Sequence, residues 1–239
     1  RGRDMIYAII GNGAAGTEAV KAIRSRDQEG EIILIDADPN PCYYRPMLPD
    51  YVCGLKKKES LWVVDEGFYR SNRVDFRAGI RVEEVLPKEG KLRLEGGEEL
   101  RFDRLLLACG SVPRRLDCPG AGLDGVVYLR TLEQAERIKE LAAGAGRAVA
   151  VGGGLLGVEL ARLFNELGLK TTYLLREDRF WPQMLDEVGS ALVERRLAEK
   201  GIRVLKQEGV VFKHLLRMVL LCREMAGLVP RRSEERRVG

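Results

Sequence analysis

Two short apolar runs with β character, Ile6-Tyr7-Ala8-Ile9-Ile10 and Ala148-Val149-Ala150-Val151, each break into glycines and then into helical periodicity. The first predicts a strand, a turn and a helix over Thr17–Ser25. The second predicts a strand, a turn and a helix from Leu155 to Gly168, with Leu156, Leu160, Leu163 and Leu167 along one face. Glu31–Asp36 reads as an apolar strand ending in an acid. Ile80–Leu86 and Lys91–Leu94 alternate around a Gly96-Gly97 turn and predict a small meander. Leu105–Gly110 reads as a buried strand ending in a turn. Pro39–Gly54, rich in proline and tyrosine, is expected to lack regular structure, and Pro113 with Pro119-Gly120 marks a hinge. Helices over Leu132–Leu141 and Leu192–Lys200, with strands over Thr171–Leu175 and Ile202–Leu205, complete the pattern. Strands alternating with helices imply an α/β fold with parallel sheets.

The two glycine clusters share one form: Gly11-Asn12-Gly13-Ala14-Ala15-Gly16 and Gly152-Gly153-Gly154-Leu155-Leu156-Gly157. In such a turn the first glycine permits the tight strand-to-helix connection, the second lets backbone approach a pyrophosphate, and the third lets helix pack closely on strand. The N–H groups that open the helix then face the phosphates. One copy is a weak signal; two, each between a strand and a helix, point to two dinucleotide sites. Asp36 stands 25 residues after Gly11, within reach of adenosine ribose hydroxyls. Its alternative role is to start the turn before Pro39.

Composition narrows the field. At 239 residues with 45% apolar content the chain can bury one large or two modest cores. The formal charge is +4, and residues 213–239, with seven Lys/Arg against three Asp/Glu, account for all of it, so the preceding part is neutral and gives no warrant for a nucleic-acid surface. Cys42, Cys53, Cys109, Cys118 and Cys222 form no C-x-x-C pair and no metal-ligand cluster, which favours reduced thiols in the cytoplasm. No leader pattern or membrane span is expected; Leu215–Leu221 is short and interrupted by Arg217. The single histidine, His214, sits in the tail and is not read as catalytic.

With both fingerprints, the Tyr44-Arg45-Pro46 loop, the Ala108-Cys109-Gly110 turn and the Gly157-Val158-Glu159 helix start, the chain over about residues 5–210 resembles the FAD/NAD(P)H-dependent pyridine nucleotide-disulfide oxidoreductase family. The resemblance implies two Rossmann-like domains: an incomplete FAD-binding domain over residues 1–115 and, inserted in it, an incomplete NAD(P)H-binding domain over 116–210. Residues 211–239 form a tail without family motif. It implies that Gly11, Gly13, Ala14 and Gly16 hold the FAD pyrophosphate and Asp36 its ribose. Arg45 and Pro46 would lie along the flavin's phosphate and ring, Val82 would contact the adenine through its backbone, and Ala108 and Gly110 would close over FAD. Cys109, where the family has Thr, reads as a packing substitution. Gly152, Gly154 and Gly157 would bind the second pyrophosphate and Glu159 would face the nicotinamide. At the tip of the following strand Leu175 occupies the usual acid position, leaving Arg176 for a 2′-phosphate or Glu177 for ribose hydroxyls. NADH and NADPH are not separated.

The resemblance also implies an activity: hydride passes from nicotinamide to flavin, and electrons pass on to a redox protein such as rubredoxin, ferredoxin or an appended iron–sulfur domain. The chain lacks the redox-active cysteines of the disulfide reductases. The Tyr-Arg-Pro-x-Leu-Pro loop is most similar to NADH:rubredoxin reductases and the front of nitrite reductase large subunits, while Asp50, where oxygenase-coupled ferredoxin reductases carry Lys, counts against that branch. Without the family's return segment, weakened FAD retention is expected. A non-catalytic dinucleotide-binding module and an inactive fragment of such a reductase stand as alternatives.

Overall fold

A computed structural model describes residues 5–207. The chain forms two compact units, one drawing on the chain up to Pro113 with Leu129–Leu132, the other on Arg114–Tyr128 and the chain from Glu133 onward.

In the first unit β1 (Ile6–Ile10) leads through a glycine loop into α1 (Ala14–Arg24) and β2 (Glu31–Asp36). After α2 (Leu48–Val52), α3 (Glu66–Ser71) and β3 (Val74–Ala78) come the antiparallel strands β4 (Val82–Leu86), β5 (Lys91–Leu94) and β6 (Glu99–Arg101), then β7 (Arg104–Leu107). The main sheet has the order β3-β2-β1-β7, all parallel. The twofold period of a strand sends neighbouring residues to opposite faces. Ala8, Ile33 and Ile35 therefore pack with Leu92 and Leu94 of the meander. Ile9, Ile32 and Leu34 pack with Val20 of α1 and Tyr69 of α3. Each of these fully buried Ile and Leu side chains stabilises the fold by about 1.5–3 kcal/mol relative to exposure. Buried Arg24 ties the end of α1 to the α3–β3 turn by donating to the carbonyls of Asn72 (2.6 Å), Arg73 (3.1 Å) and Gly30 (2.7 Å).

Two expectations are corrected here. The segment 39–54 is not irregular: it holds a 3-10 turn at Arg45–Met47 and α2, with Leu48, Tyr51 and Val52 buried. Pro46 and Pro49 each stand in a first helical turn, where a missing N–H leaves no bond unmade. Nor is β7 buried. It lies at the sheet edge, and Leu106 and Leu107 are 40% and 62% exposed.

The second unit holds most of α4 (Leu132–Ala143), then β8 (Arg147–Val151), α5 (Leu155–Glu166), β9 (Lys170–Leu174), α6 (Glu187–Glu199) and β10 (Arg203–Leu205), in a parallel sheet ordered β10-β9-β8. Helix α6 begins more than a turn before the expected Leu192, because the Asp186 carboxylate caps it by accepting the Gly189 N–H at 2.7 Å. The two strand-loop-helix-strand units are in matching register: Ile9 stands beside Leu34 in the first, Ala150 beside Tyr173 in the second. His214, Cys222 and the expected tail fall outside the described residues.

Candidate dinucleotide-binding sites

The first glycine loop crosses the carboxyl ends of β1, β2 and β7. Gly11 N–H donates to the Ile35 carbonyl at 2.8 Å, and Ala108 N–H donates to that of Ile10 at 2.8 Å. Gly11 has φ +111°, and a Cβ there would lie 2.2 Å from the Ala108 carbonyl oxygen. The loop thus seats directly on the Ala108-Cys109-Gly110 turn. Gly13 caps α1 in extended conformation without any side-chain acceptor, and no acid stands in the first turn. That leaves the first-turn N–H groups without a side-chain acceptor from the cap or the helix itself, as phosphate binding there requires.

Asp36 serves the loop in two ways. Its Oδ2 accepts the Asn12 N–H at 2.5 Å and its Oδ1 accepts the Asp38 N–H at 2.8 Å, so the acid both clasps the glycine loop and starts the turn toward Pro39. Each carboxylate oxygen keeps a further lone pair for a ribose hydroxyl. Behind the loop the buried Asn12 amide meets the Tyr69 hydroxyl, Nδ2 at 2.9 Å, and that hydroxyl accepts the Cys42 N–H at 3.1 Å. Burial pushes the Tyr69 phenol up from its ordinary pKa. Asn12, Tyr69 and Cys42 were missed by sequence reasoning; Asn12 alone carried a signal, as a polar residue inside the fingerprint.

Arg45 lies over this loop. One guanidinium nitrogen, Nη1, stands 3.4 Å from where a Gly13 Cβ would be, the group covers the Tyr43 ring at 4.9 Å, and Nη2 is 3.8 Å from Asp38 Oδ2. Its Nε is buried with no hydrogen-bond partner. An unsatisfied guanidinium donor over a glycine cradle fits an anion. Tyr43 is itself fixed, donating to Asp38 at 2.6 Å and accepting the Leu132 N–H at 3.0 Å. Pro46 follows in the same 3-10 turn. Val82 opens β4 two residues after Ile80, whose N–H donates to the Asp36 carbonyl at 3.0 Å. Gly110, at φ +68°, faces Arg130, which donates to the Ser111 carbonyl at 3.1 Å. The structure therefore gathers Gly11, Gly13, Ala14, Gly16, Asp36, Arg45, Ala108 and Gly110 at one end of the sheet, with Val82 at its border.

The second loop is built alike. Gly152 has φ +130° and its N–H donates to the Leu174 carbonyl at 3.2 Å, while a Cβ on Gly157 would lie 2.1 Å from the Gly152 carbonyl oxygen. A Cβ on Gly152 or Gly154 would meet nothing within 4 Å, so the outer side of this loop is open. Glu177 curls against it: a Cβ on Gly153 would lie 2.5 Å from Glu177 Oε2. The Trp181 N–H closes the same segment onto the Gly153 carbonyl at 3.0 Å. Arg176 is 80% exposed and pairs with Glu177 at 3.2 Å, whereas Glu177 is 23% exposed. Glu159 lies on α5 past its first turn and pairs with Arg162 at 2.9 Å.

Among the described residues no group of His, Cys, Asp and Glu could hold a metal, and no helix is long and apolar enough to cross a membrane. Cys42 is buried with its thiol pKa raised by that burial, while Cys109 is exposed. Iodoacetamide should therefore label Cys109 well before Cys42 when the folded protein is peptide-mapped. Equal labelling of the two would show that the Cys42 loop is not packed as described.

Comparison with known proteins agrees with this geometry. The family described as pyridine nucleotide-disulphide oxidoreductase matches residues 5–214. The ferredoxin–NAD(+) reductase component of the 3-phenylpropionate/cinnamic acid dioxygenase of Photorhabdus laumondii is 30% identical over 87% of this chain and 53% of its own length. The nitrite reductase [NAD(P)H] large subunit of Klebsiella oxytoca is 31% identical over 83% of this chain and 21% of its own length. The oxygenase-coupled reductase and the nitrite reductase large subunit match almost equally in identity. The crystal structure of the covalent putidaredoxin reductase–putidaredoxin complex superposes with a TM-score of 0.81 at 28% identity, over 87% of this chain and 51% of that one. The chain spans about half the length of the dioxygenase reductases it matches.

Proposed function

Because the chain belongs to the pyridine nucleotide-disulphide oxidoreductase family, we propose that it is the nucleotide-binding part of a flavoprotein reductase, with FAD on the first glycine loop and a nicotinamide dinucleotide on the second. Residues 1–115 would contribute to the FAD domain and 116–210 to the NAD(P)H domain. The observation that carries the reading is Arg45, whose Nη1 stands 3.4 Å from where a Gly13 Cβ would be and whose Nε is buried without a partner, a cation where FAD phosphates would need a counter-charge. Bound FAD supplies hydride acceptance from the nicotinamide and onward electron transfer. The chain's own groups bind and align: Gly13, Ala14 and Gly16 offer backbone to the pyrophosphate, Asp36 accepts from the ribose, and Ala108 and Gly110 border the cofactor. No side chain is needed to move a proton in hydride transfer. Relatives named as ferredoxin reductases and the putidaredoxin complex support a small redox protein as electron acceptor, and the free thiols among the described residues support a cytoplasmic location.

Calorimetric titration tests the two-site reading. FAD and NADH should each saturate one site, and FAD bound first should leave NADH binding intact; competition for a single site would end it.

For the nicotinamide dinucleotide the reading favours NADH. Glu177 rests on the second loop as Asp36 rests on the first, while Arg176 extends into solvent. An acid facing the ribose accepts from a 2′-hydroxyl and repels a 2′-phosphate. NADH should bind more tightly than NADPH, and Glu177→Gln should narrow the gap about tenfold, on the order of 1.4 kcal/mol. Fluorescence titration with both nucleotides gives the ratio; a wild-type preference for NADPH would reassign the subsite to Arg176.

A further inference from the structure

The two loops are braced differently from beneath. In the first unit Ile9 and Leu34 occupy neighbouring register positions, and the Ile9 side chain is the one closest under Gly16, its Cγ2 3.6 Å from where a Cβ would be. In the second unit the same pair of positions is Ala150 and Tyr173. The small alanine makes room for the larger ring, and the Tyr173 hydroxyl occupies the space under Gly157, 2.9 Å from where a Cβ would be. Tyr173 is fully buried, and its hydroxyl donates to the Gly152 carbonyl. No peptide bond among the described residues is cis.

A trans peptide is planar, with its C=O and N–H pointing in opposite directions. Holding the Gly152 carbonyl inward therefore turns the Gly153 N–H outward, to the side where Glu177 lies and the loop is open. In the first loop the equivalent peptide is held from the other side, by the Asn12 N–H on Asp36. We propose that Tyr173 is a positioning residue for the second dinucleotide site: its hydroxyl aims the Gly153 N–H at the phosphates of the bound nucleotide. The proposal rests on the second loop being the nicotinamide-dinucleotide site, and it adds a residue 20 positions beyond Gly153 that no fingerprint contains.

Tyr173→Phe keeps the ring and removes the hydroxyl. With the 239-residue protein, dissociation constants for NADH and ADP by titration should rise about five- to tenfold, the effect of one lost buried hydrogen bond. Adenosine, which has no phosphate, should bind Tyr173→Phe as it binds wild type when followed by NMR. A packing role alone would lower thermal stability and weaken all three ligands together. Should Tyr173→Phe fail to fold, Ala150→Ile/Tyr173→Leu rebuilds the brace used in the first unit. That double variant should fold and still bind ADP weakly, whereas wild-type ADP affinity in it would overturn the proposal. Wild-type protein that binds neither NADH nor ADP would refute the site reading itself, and Tyr173→Phe that binds both as wild type would refute only the positioning role.

Discussion

Replacing Arg45 with alanine should raise the FAD dissociation constant about 10- to 100-fold, the equivalent of the roughly 1.5–3 kcal/mol carried by a hydrogen bond to a charged group. The same substitution should cost the cofactor-free protein little. It removes a buried Nε that bonds to nothing, which offsets the loss of the guanidinium contacts with the Tyr43 ring and Asp38. Arg45→Lys should recover part of the affinity, since a lysine supplies the charge without the planar fork. Flavin fluorescence titration measures the first effect and thermal unfolding without FAD the second. A variant that binds FAD normally but unfolds early would make Arg45 a structural residue and remove the main support for an anion at the first loop.

Gly11→Ala should damage the first unit severely. The residue sits at φ +111° and the added Cβ would stand 2.2 Å from the Ala108 carbonyl oxygen, backbone against backbone, so either the glycine loop or the Ala108 turn must move. Strain at such a φ costs about 1–3 kcal/mol, and forced displacement of packed backbone about as much again. Gly96→Ala is the control: φ is +88° there as well, yet a Cβ would meet nothing within 4 Å. Urea unfolding should therefore show Gly11→Ala destabilised by about 2 kcal/mol more than Gly96→Ala. FAD binding should be lost only in the former. Equal destabilisation would mean that the close seating of the loop on Ala108 is not what the first unit depends on.

What could be read from the sequence was local. A strand, its glycines and the next helix are contiguous, and their period shifts from two to about 3.6 within a few residues, so both fingerprint units stood out. The meander was equally visible in its alternation and its Gly96-Gly97 turn. What stayed hidden depends on partners far along the chain. Tyr69 meets Asn12 across 57 residues and nothing in either neighbourhood announces it. The Leu105-Leu106-Leu107 run has the composition of a buried strand, but burial is decided by what packs on it, and among the described residues β7 has a neighbour on one side only. The 39–54 segment was misread because its prolines look like breakers, and only their placement in first turns makes them compatible with helix. At the second site the sequence does not say which of Arg176 and Glu177 folds back; in the structure Glu177 lies against Gly153, in a segment that the Trp181 N–H joins to the Gly153 carbonyl.

The central claim is that one chain carries FAD and a nicotinamide dinucleotide on its two glycine loops as parts of one redox path. The most direct measurement loads the protein with FAD, removes oxygen and adds NADH while the visible flavin band is followed. Bleaching of that band, with oxidised nicotinamide formed in step, is the predicted result. A flavin spectrum unchanged by saturating NADH would contradict it and leave a protein that binds dinucleotides without passing electrons between them.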